Sequence, residues 1–196
     1  MRWQRPNGPA WREVAERRFA RSWSAGARTA VALRLGVAVL ALAAGLASQA
    51  QSSYPLIGRL GPDFALHALA GGNVRLSEHR GEVVVLSFWS SRCNPCRAQL
   101  AALNRSLATY RSAGLEIYGI GVDDDPGKSL EYARSLTVGF VLLLDPAKQV
   151  SRSYQVDNLP MTVLIDRGGT VRHALRDYSA ASDGVYLQQL RALLNE

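Results

Sequence analysis

Val83-Val84-Val85-Leu86-Ser87-Phe88-Trp89-Ser90-Ser91-Arg92-Cys93-Asn94-Pro95-Cys96-Arg97 holds the change of period on which the fold turns. The first seven residues are a continuous apolar, β-branched run, which suits a strand buried on both faces. From Pro95 the pattern becomes helical. Leu100, Leu103, Leu107 and Tyr110 recur at steps of three and four, while Arg97, Arg105 and Arg111 point elsewhere. Gly114 ends that helix.

The turn between strand and helix carries both cysteines of the chain. Two cysteines with two residues between them can close a small, reversible disulfide. Unpaired N–H groups and the positive end of the helix dipole gather at Cys93. They favour its thiolate, which is the attacking form. Arg92 and Arg97 add positive charge. Cys93 is then the exposed attacking sulfur, and Cys96, one turn inside, resolves the mixed disulfide. Pro95 lacks an N–H that a first helical turn does not need. The plainer alternatives are a structural bridge or two inert buried thiols. A bridge across so short a loop constrains the unfolded chain little, so it is a poor staple.

Outward from this turn, Phe64, Leu66 and Leu69 precede Gly71-Gly72, and Val74 and Leu76 follow, the pattern of a hairpin. Leu115 to Val122 reads as a strand. Asp125-Pro126 reads as an N-cap with proline at the first helical position, opening a helix to about Leu136. Phe140 to Leu144 reads as a third buried strand, and Asp145-Pro146 repeats the cap before a short helix ending at Tyr154. Met161 to Ile165 and Thr170 to Leu175 form a hairpin turned at Arg167-Gly168-Gly169, and a last helix covers about Asp183 to Leu194. Strands that alternate with helices and then follow one another predict an α/β domain, with a mixed sheet flanked by helices on both faces.

The whole chain of 196 residues is 47% apolar and 20% charged, which excludes a wholly disordered or collagen-like chain. Two cysteines exclude a disulfide-dense scaffold and a four-cysteine zinc site. The net charge of +7 is local. Residues 1–34 hold eight arginines against Glu13 and Glu16, a net +6, and the other 162 residues hold 15 basic and 14 acidic side chains, a net +1. A nucleic-acid-binding domain carries its own basic face, and no such surplus is present here. Leu35 to Ala47 is a charge-free apolar run of thirteen residues, approached by Arg28 and Arg34 and followed by Ser48-Gln49-Ala50. A basic approach, an apolar stretch and small residues after it make a signal peptide. Thr29 to Ala50, 22 residues, is the rival membrane anchor. The expected organisation is a basic leader with signal peptide or anchor over 1–50, a linker over 51–61 and one domain over 62–196.

Pro62-Asp63-Phe64, Leu76-Ser77 with Arg80-Gly81, Phe88-Trp89 through Cys96-Arg97, and Leu159-Pro160-Met161-Thr162-Val163-Leu164-Ile165-Asp166 together resemble the TlpA/ResA-like proteins, the exported thiol–disulfide oxidoreductases of bacteria. The resemblance covers about 62 to 178. It implies a thioredoxin-like fold with the hairpin as an N-terminal extension. It also implies Cys93 as nucleophile, Cys96 as resolver, and Pro160 as a cis proline facing them. Proline is the residue at which a cis bond is cheap. Such a turn would leave the Leu159 backbone free to pair with an extended substrate. Trp89 is expected partly buried beside the disulfide, within reach of substrate together with Leu159 and Pro160.

Departures from the resemblance concern charge. Ser87 stands where thioredoxin has a buried aspartate, and Gln99 where many of these proteins carry a glutamate. Ala101 stands where a proline often follows, and Arg92 where a tryptophan commonly precedes the first cysteine. Two proton acceptors are absent and a cation is added. This tuning by Ser87, Arg92, Pro95 and Gln99 predicts a lowered Cys93 pKa and a more oxidising disulfide. The implied setting is the periplasm, or the inner membrane with the domain facing it. There a monomer needing no cofactor would reduce disulfides of exported proteins, as in cytochrome c-type biogenesis with apocytochrome c as substrate. A membrane thiol carrier would donate its electrons. A dithiol oxidant using the same site is the alternative, and a copper chaperone of the Sco type a lesser one. The latter's cysteines have three residues between them where this chain has two, which weighs against metal binding by Cys93, Cys96 and His173. Peroxiredoxins share the fold but use a Thr/Pro-rich cysteine setting that this chain does not have. Asp123-Asp124-Asp125 lacks the alternating oxygen ligands of a calcium loop and reads as a solvated turn with an N-cap.

Overall fold

The computed structural model describes residues 54–196, so the leader and its apolar run lie outside the described residues. Within these, no helix is long and apolar enough to cross a membrane. Strands β1 (Ala65–His67) and β2 (Asn73–Arg75) pair antiparallel. The turn between them uses Gly71 and Gly72 at φ 98° and 81°, a region glycine enters without steric cost. A 3-10 turn at Leu76–His79 follows, fixed by Asp63, whose carboxylate accepts the Ser77 N–H and hydroxyl at 2.9 Å each.

Next come β3 (Val83–Trp89), α1 (Cys96–Tyr110), β4 (Leu115–Gly121), α2 (Pro126–Arg134), β5 (Val141–Leu144), α3 (Gln149–Ser153), β6 (Met161–Ile165), β7 (Val171–Arg176) and α4 (Ser182–Leu194). The five-stranded sheet has the order β5-β4-β3-β6-β7. β3, β4 and β5 are parallel, β6 is antiparallel to β3, and β7 to β6. This is the mixed sheet that the alternation of elements predicts.

All seven residues of β3 are buried, as a central strand covered on both faces requires. Val83, Val85 and Trp89 face a cluster with Leu100, Leu103 and Leu107 of α1 and Tyr186, Leu190 and Leu193 of α4. Val84, Leu86 and Phe88 face the opposite cluster, with Val150 of α3, Tyr154, and Tyr54, Phe64 and Leu76 from the N-terminal segment. β5 differs from the reading of Phe140–Leu144 as fully buried. It begins at Val141 and is mostly half-buried, because it is an edge strand. Asp125 caps α2, accepting the Gly127 N–H at 2.9 Å with Pro126 at the first helical position. Asp145 acts differently: α3 starts only at Gln149, and the Asp145 carboxylate reaches forward to the N–H groups of Gln149 and Ser151, at 2.9 and 2.7 Å.

Tyr54 to Gly61, read as linker, belongs to the folded unit. Tyr54 is buried and its hydroxyl donates to the Tyr154 carbonyl. Gly58 N–H donates to the Val171 carbonyl at 2.8 Å, and Leu60 bridges Thr170 beside β7. The segment is too short and too irregular in period for a strand or helix pattern, so its pairing beside β7, made by backbone groups, leaves little trace in the sequence.

Candidate active site

The parallel strands β3 and β4 end on the same side of the sheet, with Trp89 level with Gly121. Ligand sites of open α/β sheets form beyond such strand ends. Trp89 C=O accepts the Val122 N–H at 2.9 Å, which keeps the two exits together. The chain then turns through Ser90 to Asn94 into α1. Cys93 N–H donates to Ser90 C=O, and Cys96 N–H to Cys93 C=O, both at 3.2 Å. Pro95 flanks the helix at φ −72° and supplies its first acceptor, the C=O taken by Gln99 N–H at 3.1 Å.

Cys93 and Cys96 are joined as a disulfide, with Cα atoms 5.4 Å apart. Cys96 is wholly buried, whereas Cys93 keeps 9% of its surface exposed. An incoming group therefore meets Cys93. It lies in an open cleft of about 460 Å³ with Ser90 and Arg92 on its own side. Val156, Asp157, Asn158 and Leu159 line the facing wall, and Lys148 the end. The Leu159–Pro160 bond is cis. The Leu159 N–H is not free: it donates to Asn158 Oδ1 at 2.9 Å, so a strand pairing through that N–H must displace the amide. Pro160 is buried behind the wall, and Leu159 half-buried in it.

Trp89 is not partly exposed. It is fully buried, so substrate cannot touch it. Its indole lies over Gly119 and Gly121, where a Cβ would stand 3.2 and 3.0 Å from its ring atoms. Tyr132 stacks at 5.4 Å on the indole, and the Arg97 guanidinium sits 5.0 Å from the Tyr132 ring centre. Arg97 also donates to Ser135 C=O and Oγ at 3.0 and 2.7 Å, which turns it towards α2. Arg92 is exposed at the cleft. The signal for the buried indole was present in Gly119-Ile120-Gly121, since glycines inside a strand mark a close approach.

Behind the cysteines runs a buried polar chain. Ser87 hydroxyl donates to Gln99 Oε1 at 3.0 Å, and Gln99 Nε2 donates to Thr162 Oγ1 at 2.7 Å. β3, α1 and β6 are thus tied together by three uncharged groups, exposed by 0, 4 and 2%. Sequence reading named Ser87 and Gln99 singly; Thr162 joins them only through the register that sets it opposite Ser87. His173 stands on β7 opposite Leu164, beyond β6 and towards the other end of the sheet from Trp89. It does not approach the cysteines, and no cluster of three metal-ligating side chains occurs among the described residues. The aspartate run divides. Asp124 is exposed and pairs with Lys148 at 2.7 Å, but Asp123 is buried and not part of a solvated turn.

Comparison with known proteins agrees with this geometry. The AhpC/TSA family matches residues 57–174. The thiol-disulfide oxidoreductase ResA of Geobacillus kaustophilus is 34% identical over 119 residues, 61% of this chain and 68% of that protein. ResA of Bacillus subtilis is 32% identical over 110 residues, 56% of this chain and 62% of that one. Among solved structures, a candidate thiol:disulfide interchange protein DsbE from Chlorobium tepidum superposes with a TM-score of 0.68 at 33% identity. That match covers 70% of this chain and 97% of the other. A candidate protein disulfide isomerase from Bacteroides thetaiotaomicron gives 0.66 at 30% identity, over 71% and 91%.

Proposed function

This chain belongs to the AhpC/TSA family, as a thioredoxin-fold thiol–disulfide oxidoreductase, and from that premise we propose that it is exported and reduces disulfides of exported proteins through Cys93. The observation that carries the reading is the asymmetry of the pair: Cys93 reaches the cleft, and Cys96 is sealed behind it.

In the reduced protein the Cys93 thiolate attacks one sulfur of a substrate disulfide. A mixed disulfide forms and the substrate's other sulfur leaves as a thiolate. The Cys96 thiolate then attacks Cys93 Sγ, and the second substrate sulfur leaves. Two electrons have passed to the substrate, and the Cys93–Cys96 bond has re-formed. A dithiol carrier at the membrane restores the thiols by the same exchange. The cleft wall at Leu159 offers an extended chain a place to lie beside Cys93, once Asn158 releases the Leu159 N–H. Apocytochrome c, with its paired cysteines, is a fitting substrate class. The charge-free apolar run at Leu35 to Ala47 supports export, with the domain in the periplasm or held at the inner membrane facing it.

A specific observation favours a second direction. The Ser87–Gln99–Thr162 chain has no group that holds a negative charge, so nothing in it opposes a thiolate. A stabilised reduced form makes a disulfide a stronger oxidant. The equilibrium of the full chain with glutathione separates the two. A potential near or below about −250 mV means a reductant, and one near about −120 to −150 mV an oxidant. A pair that does not exchange with glutathione at all would sink both.

A further inference from the structure

We propose that Asp123 is a positioning residue of the redox site: its buried carboxylate holds the turn that delivers Cys93 and fixes a negative charge on that turn, at Ser91, two residues before the sulfur. The inference rests on the reading of Cys93 as the attacking sulfur. Asp123 follows β4 and is 5% exposed. Its Oδ2 accepts Ser91 N–H at 2.9 Å and Ser129 hydroxyl at 2.7 Å. Its Oδ1 accepts Ser91 hydroxyl at 2.9 Å and shares the Ser91 N–H at 3.2 Å.

One side chain thereby joins the active-site turn to the wholly buried Ser129 of α2. With the Val122–Trp89 and Cys93–Ser90 backbone bonds, three successive holds lie between the end of β3 and the first cysteine. Packing alone does not account for a carboxylate here. Among the described residues no lysine or arginine pairs with it, so its desolvation is offset by hydrogen bonds from neutral donors. An acceptor-only group satisfies three donors at once, which an amide cannot do without turning its own N–H groups towards them.

Position makes the charge consequential. The buried chain behind the cysteines is uncharged. Among the described residues Asp123 is the one buried acid bonded to the turn. The other charges that face this region are Arg92 on the turn, Asp124, Lys128 and Glu131 from the side of α2, and Lys148 and Asp157 at the cleft. All of them reach solvent, which screens them, whereas a buried charge is screened much less. A fixed negative charge opposes a thiolate at Cys93. Asp123 therefore gives the turn its geometry and limits how oxidising the pair becomes.

The test is Asp123→Asn in the full-length chain, read by equilibrium with glutathione and by the pH midpoint of Cys93 alkylation. Loss of the charge is expected to shift the equilibrium about tenfold towards the dithiol, about 30 mV, and to lower the alkylation midpoint. Ser129→Ala removes one hydrogen bond and keeps the charge, so it is expected to lower the melting temperature and leave the potential unchanged. Asp123→Ser, a second neutral variant, carries the same expectation as Asp123→Asn should the amide not fold. Neutral variants with the wild-type equilibrium and alkylation profile would overturn the inference, as would a potential moved equally by Ser129→Ala. Wild-type protein that does not exchange with glutathione overturns the functional reading and this inference together. Normal wild-type exchange beside an unchanged Asp123→Asn overturns the inference alone.

Discussion

Gln99 occupies the first turn of α1 with its amide buried between Ser87 and Thr162. Replacing it with glutamate keeps the shape and adds a proton-binding group. Gln99→Glu is expected to raise the thiol pKa values of the pair, because like charges close together oppose each other's ionisation. The disulfide then becomes less oxidising, by about tenfold in its equilibrium with glutathione for each pKa unit by which the thiols rise. Titration of both proteins by alkylation rate checks this, and an unchanged profile would show that residue 99 does not sense the sulfurs. Tyr54 gives a second prediction at this scale. Burial pushes its hydroxyl up to about 12 from 10.0, against the lowering pull of Arg176. The folded state thus prefers the neutral phenol. Its contribution to stability is complete below about pH 10 and is lost as pH rises through about 12. Denaturant titrations across that window should show a shallower decline for Tyr54→Phe than for the wild type.

At the scale of elements, β4 is shaped by what β3 needs. Gly121 leaves room for the Trp89 indole, and a methyl there would stand 3.0 Å from its ring. Gly121→Ala is expected to cost about 1–3 kcal/mol, the range for overfilling a packed core, and calorimetry would measure it. β3, α1 and the cysteine pair between them were legible in the sequence, because each rests on a local pattern: a β-branched run, a helical period, two cysteines at the junction. The indole's burial was not legible from Trp89 alone. It depends on glycines in another strand that only the pairing of β3 with β4 brings beneath it. Asp123 escaped for a related reason. Three consecutive aspartates look like a solvated turn until the end of β4 turns the first inward, to Ser91 and Ser129, and leaves the second outside.

For the molecule as a whole, the boundary of the fold lies before residue 62. Tyr54 is buried and bonds to the Tyr154 carbonyl, and Gly58 and Leu60 pair beside β7. Residues 54–196 are expected to melt clearly above residues 62–196, since the longer form buries one more aromatic side chain, worth about 1.5–3 kcal/mol. Equal melting temperatures would return Tyr54 to Gly61 to the linker. The fold also contains its own gauge. Of the four tryptophans in the chain, only Trp89 falls within residues 54–196, and it shares one apolar cluster with Cys93 and Cys96. A disulfide quenches the emission of a neighbouring indole, and a dithiol quenches it less. In residues 54–196 the brightness of a single unlabelled chromophore is therefore expected to follow the oxidation state of the pair, so that the poise of the site can be read by light alone.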